Sequence, residues 1–424
     1  MNPTEKLFWS DALATTFEAA GASLGEHGGR PSIVLGRTLF YPEGGGQLGD
    51  SGTLAIGAHA VRIADTQVTG GVIHHVIDGE VDGDLAEALR GSRAEALAVR
   101  GTIDEAKRRD NMVHHTAQHA LSRALATAAR ADTVSARLGA TSCTIDVARP
   151  GVSDADLHRA EDLVNAIVMS DAAIHTSFPS AEELAKLDLR KQPNAEKSAA
   201  GVRVVEIEGF DLTPCGGTHC TRTGQVGHVR ITATEKYKGM LRITFHAGRR
   251  ALAEARAGHE LLAALATDLT CGAHDIPAAV GKLRAELKGL REKLDSTRAE
   301  LAGQVALRVH EMLPASSGPH VVRLERPLDD LAGLRALATS LTTDPRVIAL
   351  VSGEDATSGE LIVVLQRGAG VRLDCGPFVT AQAKALGGRG GGRPERAEGR
   401  FPRGTSLEAL AAAATATASR EDLP

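Results

Sequence analysis

The sequence is poor in aromatic residues, which make up only 3% of its 424 residues and include a single tryptophan. Proteins that bind single-stranded nucleic acid without sequence preference stack the bases on aromatic side chains, so this composition argues against a base-stacking platform. Cysteine is also scarce. Its five copies, an odd number spread from Cys143 to Cys375, do not suggest a disulfide scaffold.

Long apolar runs are missing as well. No window approaches the roughly 18 uninterrupted apolar residues of a membrane span, and the N-terminus lacks the basic-then-apolar order of a signal peptide. The net charge of −5 gives no bulk attraction to nucleic acid, so an RNA partner would need a local basic surface. These absences predict a cytoplasmic protein without a membrane partner.

The apolar pattern changes along the chain and predicts four parts. Residues 1–92 carry short alternating runs between turn residues, which predicts a small β-barrel or sandwich. Residues 93–250 mix helices and strands, and residues 251–312 are helical. Residues 313–424 alternate again as a small α/β unit with a Gly/Arg-rich loop. The predicted fold class is α+β.

The helical part contains a repeat of apolar residues with 3-4-3-4 spacing. Thr297 fills the one missing slot of the seam, whose members are Val280, Leu283, Leu287, Leu290, Leu294 and Leu301. Charged residues occupy most positions between them, a pattern that predicts a coiled coil. The alternative is an amphipathic helix that packs on its own domain, because the seam covers only about three heptads.

Two histidines are placed for metal binding in the first long predicted helix. The capping-box pair Thr102 and Glu105 predicts a helix that continues to about Arg130 and carries the motif HTAQH. Residues four apart lie on one face of a helix, so His115 and His119 can point the same way. Taken alone, this spacing is weak evidence for zinc.

A second pair strengthens the metal hypothesis. Cys215 and His219 are four apart in the Gly-rich segment DLTPCGGTHC, so the two pairs together offer three imidazoles and a thiolate, a tetrahedral zinc set. Cys220 is an alternative thiol, although Cys215 alone keeps the four-residue spacing. Asp211 is a candidate acceptor for a ligand imidazole, or a simple turn former.

HTAQH followed by CGGTH, with the upstream segment RTLFYPEGGGQLGDSGTL (Arg37–Leu54), resembles the editing domain of alanyl-tRNA synthetase. The freestanding editing proteins of the AlaX group are more similar still. Downstream, the coiled coil and the segment GGRGGGRPERAEG resemble the synthetase's C-terminal region with its DHH-associated domain. The resemblance covers essentially the whole chain and corresponds to the long AlaX form. It leaves no segment for a class II aminoacylation domain, so we expect no tRNA charging.

The resemblance implies a trans-editing deacylase. Its substrate would be tRNA(Ala) carrying a wrong amino acid, chiefly serine and, as a second candidate, glycine. One zinc ion per chain would be held by His115, His119, Cys215 and His219. A metalloprotease is a poor alternative, because Thr116 stands where such enzymes carry their glutamate base.

Other site residues follow from the Gly-rich signature. Thr38 is expected near the amino-acid pocket, where its hydroxyl would hydrogen-bond serine and disfavour alanine; an ordinary strand threonine is the alternative. Gly44, Gly45, Gly46 and Gln47 would bring backbone close to the terminal adenosine and offer an amide, a role compatible with a tight turn. Thr38, Gln47 and the two helix histidines are thus the candidate catalytic residues.

One synthetase side chain has no counterpart. A glutamine of the synthetase aligns with Ala136, so Ser135 or Arg137 would have to replace it. Four protein ligands saturate a tetrahedral zinc. The preferred hypothesis is that zinc orients the ester or an attacking water as a Lewis acid, while the ribose hydroxyl or a ligand histidine manages the proton.

Contacts with tRNA need clustered positive charge. The leading candidates are Arg109, Lys238, Arg242, Arg389 and Arg393, and neighbouring cations are Lys107, Arg108, Lys236, Arg396, Arg400 and Arg403. Such residues position the phosphate backbone without reading sequence. A homodimer through the coiled coil or the C-terminal domain is expected from the resemblance. The rival hypothesis is a noncatalytic tRNA-binding protein with a structural zinc.

Overall fold

Helices and strands are mixed throughout the chain, which confirms the predicted α+β class. The computed structural model describes residues 2–90, 97–193, 201–316, 318–326, 330–355 and 357–420. They group into two units, Met1–Leu262 and Ala263–Pro424, and the finer four-part division stays a prediction. No helix in these described ranges is long and apolar enough to cross a membrane.

The first unit begins with a seven-stranded antiparallel half-barrel. Its strands lie in the order β2-β9-β6-β7-β8-β4-β3, and β1 pairs in parallel with β5. The elements are β1 (Glu5–Lys6), β2 (Thr16–Ala20), β3 (Ala22–His27), β4 (Arg30–Leu35), β5 (Arg37–Thr38), β6 (Gly52–Ile56), β7 (His59–Thr69), β8 (Val72–Ile77), α1 (Gly83–Arg90) and β9 (Ala98–Ile103). Alternate residues of β6 and β9 are buried, as a two-residue period requires.

The rest of this unit surrounds a long buried helix. A four-stranded sheet has the order β10-β11-β16-β15, and β12-β13-β14 form a smaller sheet. The elements are α2 (Glu105–Ala129), β10 (Thr133–Leu138), β11 (Cys143–Val147), α3 (Asp154–Met169), β12 (Ile174–Ser177), α4 (Ala181–Leu184), β13 (Val204–Ile207), β14 (Asp211–Pro214), β15 (Val229–Tyr237), β16 (Met240–Ala247) and α5 (Gly248–Asp268), which begins here.

The start of α2 differs from the prediction. Thr102 lies in β9, and Asp104 is the N-cap instead, its carboxylate accepting a hydrogen bond from the backbone N–H of Lys107. Asp is preferred at the N-cap at least as strongly as Thr. The helix therefore begins after Asp104 and not after Thr102. Most residues of α2 are buried, including all of His114–Ser122, so its histidines lie within the protein and not on a solvated face.

The second unit contains a five-stranded sheet in the order β17-β18-β19-β21-β20, in which only β17 and β18 run parallel. Its elements are α6 (Ile276–Glu311), β17 (His320–Glu325), α7 (Leu331–Leu341), β18 (Val347–Glu354), β19 (Leu361–Arg367), α8 (Cys375–Leu386), β20 (Arg389–Gly392), β21 (Arg396–Phe401) and α9 (Leu407–Arg420). The predicted Gly/Arg-rich loop is therefore wrong. It is a hairpin, whose glycines let the strands approach closely: a Cβ on Gly390 would lie 2.7 Å from Glu398 O.

The predicted leucine seam lies on α6 and is largely exposed. Its five leucines, Leu283, Leu287, Leu290, Leu294 and Leu301, are 47–63% exposed. Further along the same helix, Ala302 and Ala306 are buried in the core of the second unit with residues of α7. Within the described residues the end of α6 packs on its own unit while the leucines of the seam are exposed, and the coiled coil stays a prediction.

A candidate metal centre

Four side chains from two distant segments meet in the first unit. The donor atoms of His115, His119, Cys215 and His219 all lie within 4.8 Å of one another. The histidines of HTAQH come from α2, and the other two come from the loop that follows β14. Cys215 Sγ lies 3.4 Å from His115 Nε2 and 3.3 Å from His219 Nε2.

These distances fit a tetrahedral zinc ion. Zn–N and Zn–S bonds of about 2.0 and 2.3 Å at tetrahedral angles place N and S roughly 3.5 Å apart. The alternative thiol Cys220 is not a member of the cluster; it is buried, and burial raises its pKa to about 11. The cluster combines three buried imidazoles with the sulfur of a half-buried cysteine, and its members are the four residues that the sequence predicted.

A buried amide orients His115. His115 Nδ1 donates to Gln47 Oε1 at 2.7 Å, so Nε2 is the nitrogen left for a metal. Gln47 Oε1 also accepts from the backbone of Thr218 at 3.1 Å, and its Nε2 donates to the Thr218 hydroxyl at 2.8 Å. Gln47 is completely buried. The amide makes these hydrogen bonds inside the protein, and its predicted contact with adenosine stays a prediction.

Thr116, which occupies the position of the glutamate base in metalloproteases, lies beside His219. Thr116 Oγ1 lies 3.2 Å from His219 Nδ1 and accepts a hydrogen bond from the backbone of Cys220 at 3.0 Å. The hydroxyl thus connects the helix to the second loop ligand. Thr116 therefore positions a histidine of the cluster, whereas the glutamate of a protease at this position acts as a base.

Asp211 faces His119, as the sequence suggested. His119 Nδ1 lies 3.7 Å from Asp211 Oδ2, which is an ion-pair distance but too long for a hydrogen bond. The same carboxylate contacts Arg190 at 2.7 Å and Arg123 at 3.2 Å, and accepts from the Thr213 hydroxyl at 2.9 Å. Burial raises the pKa of Asp211, but His119 and Arg190 outweigh it and hold that pKa below its ordinary value.

The protonation states of Cys215 and His219 suit a cation, whereas the raised pKa of His119 favours the imidazolium, which must release its proton to bind a metal. Burial opposes ionisation of the Cys215 thiol, yet the surrounding histidines, led by His115 and His219, hold its pKa well below the ordinary value. Burial lowers the pKa of His219 to about 3, so its imidazole is neutral. Burial likewise lowers the pKa of His119, but Cys215 and Asp211 outweigh it and raise that pKa. A thiolate with a neutral imidazole is the form in which these groups bind metal.

The ligand loop depends on a glycine and a buried arginine. A Cβ on Gly217 would lie 2.1 Å from the His115 ring, so only glycine permits this approach. Arg203 Nη1 donates to the carbonyls of Cys215 and Gly217, each at 2.9 Å. From the other side, Trp9 Nε1 donates to Gly216 O at 2.9 Å. The loop carbonyls are therefore held by side chains from two separate elements.

Thr38 lies in a buried polar pair within the half-barrel. Its hydroxyl donates to His75 Nε2 at 2.8 Å and accepts from the backbone of Phe40 at 3.0 Å. His75 Nδ1 donates to Ile33 O at 2.8 Å, which makes Nε2 the acceptor. Burial lowers the pKa of His75 to about 4, so the ring is neutral. One acceptor lone pair of the Thr38 hydroxyl remains unused.

The glycines of the signature form a tight turn against β10. Gly44 and Gln47 pair as an antiparallel bridge, and Gly45 is exposed at the turn. Gly46 has φ +89°, and a Cβ there would lie 2.5 Å from Ala136 O. Next to that alanine, Ser135 donates to Asp146 at 2.8 Å, while Arg137 is exposed. No described contact brings Ser135 or Arg137 to the cluster.

The predicted basic contacts differ in availability. The prediction that Arg108 belongs to the cations near RNA is wrong, because Arg108 is buried and forms an ion pair with Asp50. Arg242 contacts Asp146 at 2.7 Å through Nε, and Arg389 contacts Glu360 at 2.8 Å. Arg389 is nevertheless as exposed as Arg109, whose side chain reaches Glu105 at 3.2 Å, and Lys238 and Arg393 are exposed as well.

Sequence reasoning missed the roles of Thr116, Arg203 and Trp9. Thr116 was noticed only as a missing glutamate, and nothing local links it to His219, 103 residues away. Arg203 carried a signal, because a charged residue within the apolar run GVRVVEI is expected to have a buried partner. The only tryptophan was a second signal, since indole N–H groups usually find an acceptor when buried.

Two family descriptions match this chain. Residues 202–244 match the threonyl and alanyl tRNA synthetase second additional domain, a stretch that includes Cys215 and His219. Residues 14–91, in the half-barrel, match tRNA synthetases class II (A). A solved structure, the C-Ala domain of Aquifex aeolicus alanyl-tRNA synthetase, covers 25% of this chain and 96% of its own at 16% identity, with a TM-score of 0.22.

Curated relatives align with almost all of the chain. Alanine–tRNA ligase of Halorubrum lacusprofundi is 29% identical over 96% of the chain, that of Methanoregula boonei 30% over 96%, and that of Korarchaeum cryptofilum 30% over 95%. The chain spans between 42% and 44% of the length of these relatives. It is therefore a homologue of part of alanine–tRNA ligase, as the motifs HTAQH, CGGTH and FYPEGGGQ indicated.

Proposed function

We propose that this chain hydrolyses the ester bond of mischarged tRNA(Ala), chiefly Ser-tRNA(Ala) and secondarily Gly-tRNA(Ala), at a site that requires one zinc ion. The observation that carries the proposal is the convergence of three motifs on one centre. HTAQH and CGGTH supply the four donors, and Gln47 of the Gly-rich signature holds His115. The kinship with alanine–tRNA ligases supports tRNA(Ala) as the RNA.

A zinc ion held by His115, His119, Cys215 and His219 would supply Lewis-acid polarisation of the ester or of water. The chain itself orients the donors, through Gln47 on His115 and Thr116 on His219. The carboxylate in contact with the cluster, Asp211, is engaged by two arginines and is a poor base. The ribose hydroxyl beside the ester or a ligand histidine therefore manages the proton.

Serine is favoured by the unused lone pair of Thr38. The Thr38 proton is directed to His75 and one lone pair accepts from Phe40, so one lone pair is left. Because Thr38 is completely buried, a serine side chain would reach it only if the surrounding residues moved. A serine side chain can donate a hydrogen bond to that lone pair and alanine cannot. Sites that hydrogen-bond a substrate hydroxyl reject analogues lacking it strongly, by up to about 10⁴-fold.

The remaining parts fit a cytoplasmic tRNA-binding protein that forms a homodimer. Exposed cations at Arg109, Lys238 and Arg393 would contact phosphates without reading sequence. The exposed leucine seam of α6 would bury its apolar surface against the same helix of a second copy.

The test measures zinc per chain and the release of amino acid from Ser-tRNA(Ala) and Ala-tRNA(Ala). We expect about one zinc per chain, release of serine in clear excess over alanine, and loss of both zinc and release in His115→Ala and Cys215→Ala. The matched controls are His175→Ala, an exposed histidine, and Cys271→Ala, a half-buried cysteine outside the cluster. Both controls should behave as the unaltered protein does.

Two results would contradict the proposal. Full hydrolysis by protein stripped of zinc would remove the metal from the reaction. Tight binding of Ser-tRNA(Ala) without release of serine would favour the rival function, a noncatalytic tRNA-binding protein with a structural zinc. The enclosed, four-donor geometry is the observation that keeps this rival in consideration.

A further inference from the structure

Aromatic side chains are scarce in this chain, yet four of them gather at one place. The sequence has eight Phe, two Tyr and one Trp, eleven in all. Phe8 contacts both Trp9 and Tyr41, with ring centroids 6.1 and 5.3 Å apart, and Trp9 contacts Phe178 at 5.6 Å. Phe8 and Tyr41 are buried, Trp9 is half-buried, and Phe178 is exposed. The group therefore runs from the core to the surface.

This aromatic group is attached to the metal-ligand loop. Trp9 Nε1 donates to the carbonyl of Gly216, the residue that directly follows the ligand Cys215. Tyr41 belongs to the Gly-rich signature, and its hydroxyl donates to Gly44 O at 2.8 Å. The Trp9 ring is thus attached to the ligand loop and held in one orientation by its hydrogen bond, and Phe178 contacts this ring.

A cation accompanies the rings. Lys6 Nζ lies 4.2 Å from the centroid of the Trp9 ring, and burial lowers the pKa of its ammonium. Phe178 is 55% exposed, so much of its ring faces solvent. A flat apolar surface beside a positive charge suits a ligand with a π face and a negative group, which is the chemistry of a nucleotide.

We propose that Trp9 and Phe178, with Lys6, form a binding site for the unpaired terminal nucleotide of the acylated RNA. The base packs against the exposed aromatic surface, and the ammonium lies near a phosphate. The site would hold the end of the strand so that its ester reaches the adjacent four-donor cluster. This inference rests on the proposed deacylase function, to which it adds the residues that position the substrate.

The single tryptophan makes a direct test possible. Emission from Trp9 is followed while the full-length, zinc-loaded protein is titrated with the trinucleotide CCA, with AMP, and with ribose 5-phosphate, which lacks a base. We expect quenching by CCA and AMP and none by ribose 5-phosphate. Stacking on an aromatic side chain contributes about 1–3 kcal/mol per base, so Phe178→Ala should weaken CCA binding about 5- to 150-fold.

Matched variants separate stacking from general damage. Phe178→Tyr keeps an aromatic ring and should bind as the unaltered protein does, whereas Lys6→Gln should reduce the salt dependence of binding. Met169→Ala removes another exposed apolar side chain, 80% exposed on α3, and should change nothing. Far-ultraviolet circular dichroism confirms that each variant is folded.

Several outcomes would overturn the inference. The first is no quenching of Trp9 emission up to millimolar CCA. The second is equal quenching by ribose 5-phosphate, and the third is unchanged quenching in Phe178→Ala. A shift in Trp9 emission with protein concentration alone would assign the patch to a second copy of the chain. Hydrolysis of Ser-tRNA(Ala) without quenching refutes only this binding site, whereas quenching without hydrolysis refutes the deacylase, so the two failures are distinguishable.

Discussion

The helix half of the candidate metal centre, His115 and His119, and the loop half, Cys215 and His219, are each held by a buried arginine with different partners. Arg108, on the same helix, forms an ion pair with Asp50 and also donates to the carbonyls of Ala12 and Leu39. Arg203 donates only to carbonyls of the loop, and its Nε has no hydrogen-bond partner within the described ranges.

The two halves therefore differ in how the buried positive charge of the arginine is stabilised. A buried cation is costly unless it is paired, and Asp50 provides that pairing for Arg108. For Arg203 no carboxylate of the described chain lies within ion-pair distance, and burial lowers its pKa while Cys215 and Tyr41 raise it. Burial outweighs both groups and the net pKa of Arg203 is lowered, so none of the described groups balances its charge as Asp50 balances that of Arg108.

The largest expected effect comes from removing one ligand from each half. Cys215→Ala and His119→Ala should each reduce bound zinc from about one per chain to near zero, because each removes one of the four donors of a tetrahedral set. Elemental analysis of dialysed protein measures this. Retention of stoichiometric zinc by either variant would show that its half is dispensable.

The two buried arginines should differ when each is replaced by glutamine. Arg108→Gln leaves Asp50 buried and unpaired and should lower the free energy of unfolding by about 3–5 kcal/mol. Arg203→Gln leaves no carboxylate unpaired and should cost about 1–3 kcal/mol, the penalty for losing hydrogen bonds to two buried carbonyls. Urea unfolding of zinc-free protein measures both. Equal losses would abolish the distinction between the halves.

Replacing the partners of the ligand histidines tests whether both halves are oriented alike. Gln47→Met and Thr116→Val keep the side-chain volume but remove the contacts to His115 and His219. Each should weaken zinc binding about 10- to 100-fold, as read by competition with a chromophoric chelator. Thr213→Val is the control, because it removes a hydrogen bond to Asp211 and no contact with one of the four donor side chains. An unchanged zinc affinity in one variant would show that only the contact removed in the other variant orients its histidine.

The smallest effect is expected from the exposed neighbour of Arg108. Arg109 lies one position later and is solvated, so Arg109→Gln should change the free energy of unfolding by no more than about 0.5 kcal/mol. If it contacts phosphate, tRNA binding weakens at low salt and the salt-dependence slope falls by about one. A loss of stability as large as that of Arg108→Gln would mean that burial does not separate these two positions.

Local patterns predicted much of the fold correctly. The helix that carries HTAQH and the strands of the half-barrel follow from periods of 3.6 and 2 residues, which depend on near neighbours. The prediction failed at the Gly/Arg-rich segment, because glycines there allow close strand packing that composition alone cannot distinguish from a loop.

The four residues of the cluster could be predicted from the sequence, because two four-residue spacings within recognisable motifs are local features. The threonine at position 116 likewise excluded a glutamate base. The contact of Gln47 with His115, 68 residues away, and the gathering of aromatic rings around Trp9 are seen only in the folded chain. Such contacts depend on how strands and helices pack, because hydrogen bonds and ring contacts between distant segments leave no periodic signature in the chain.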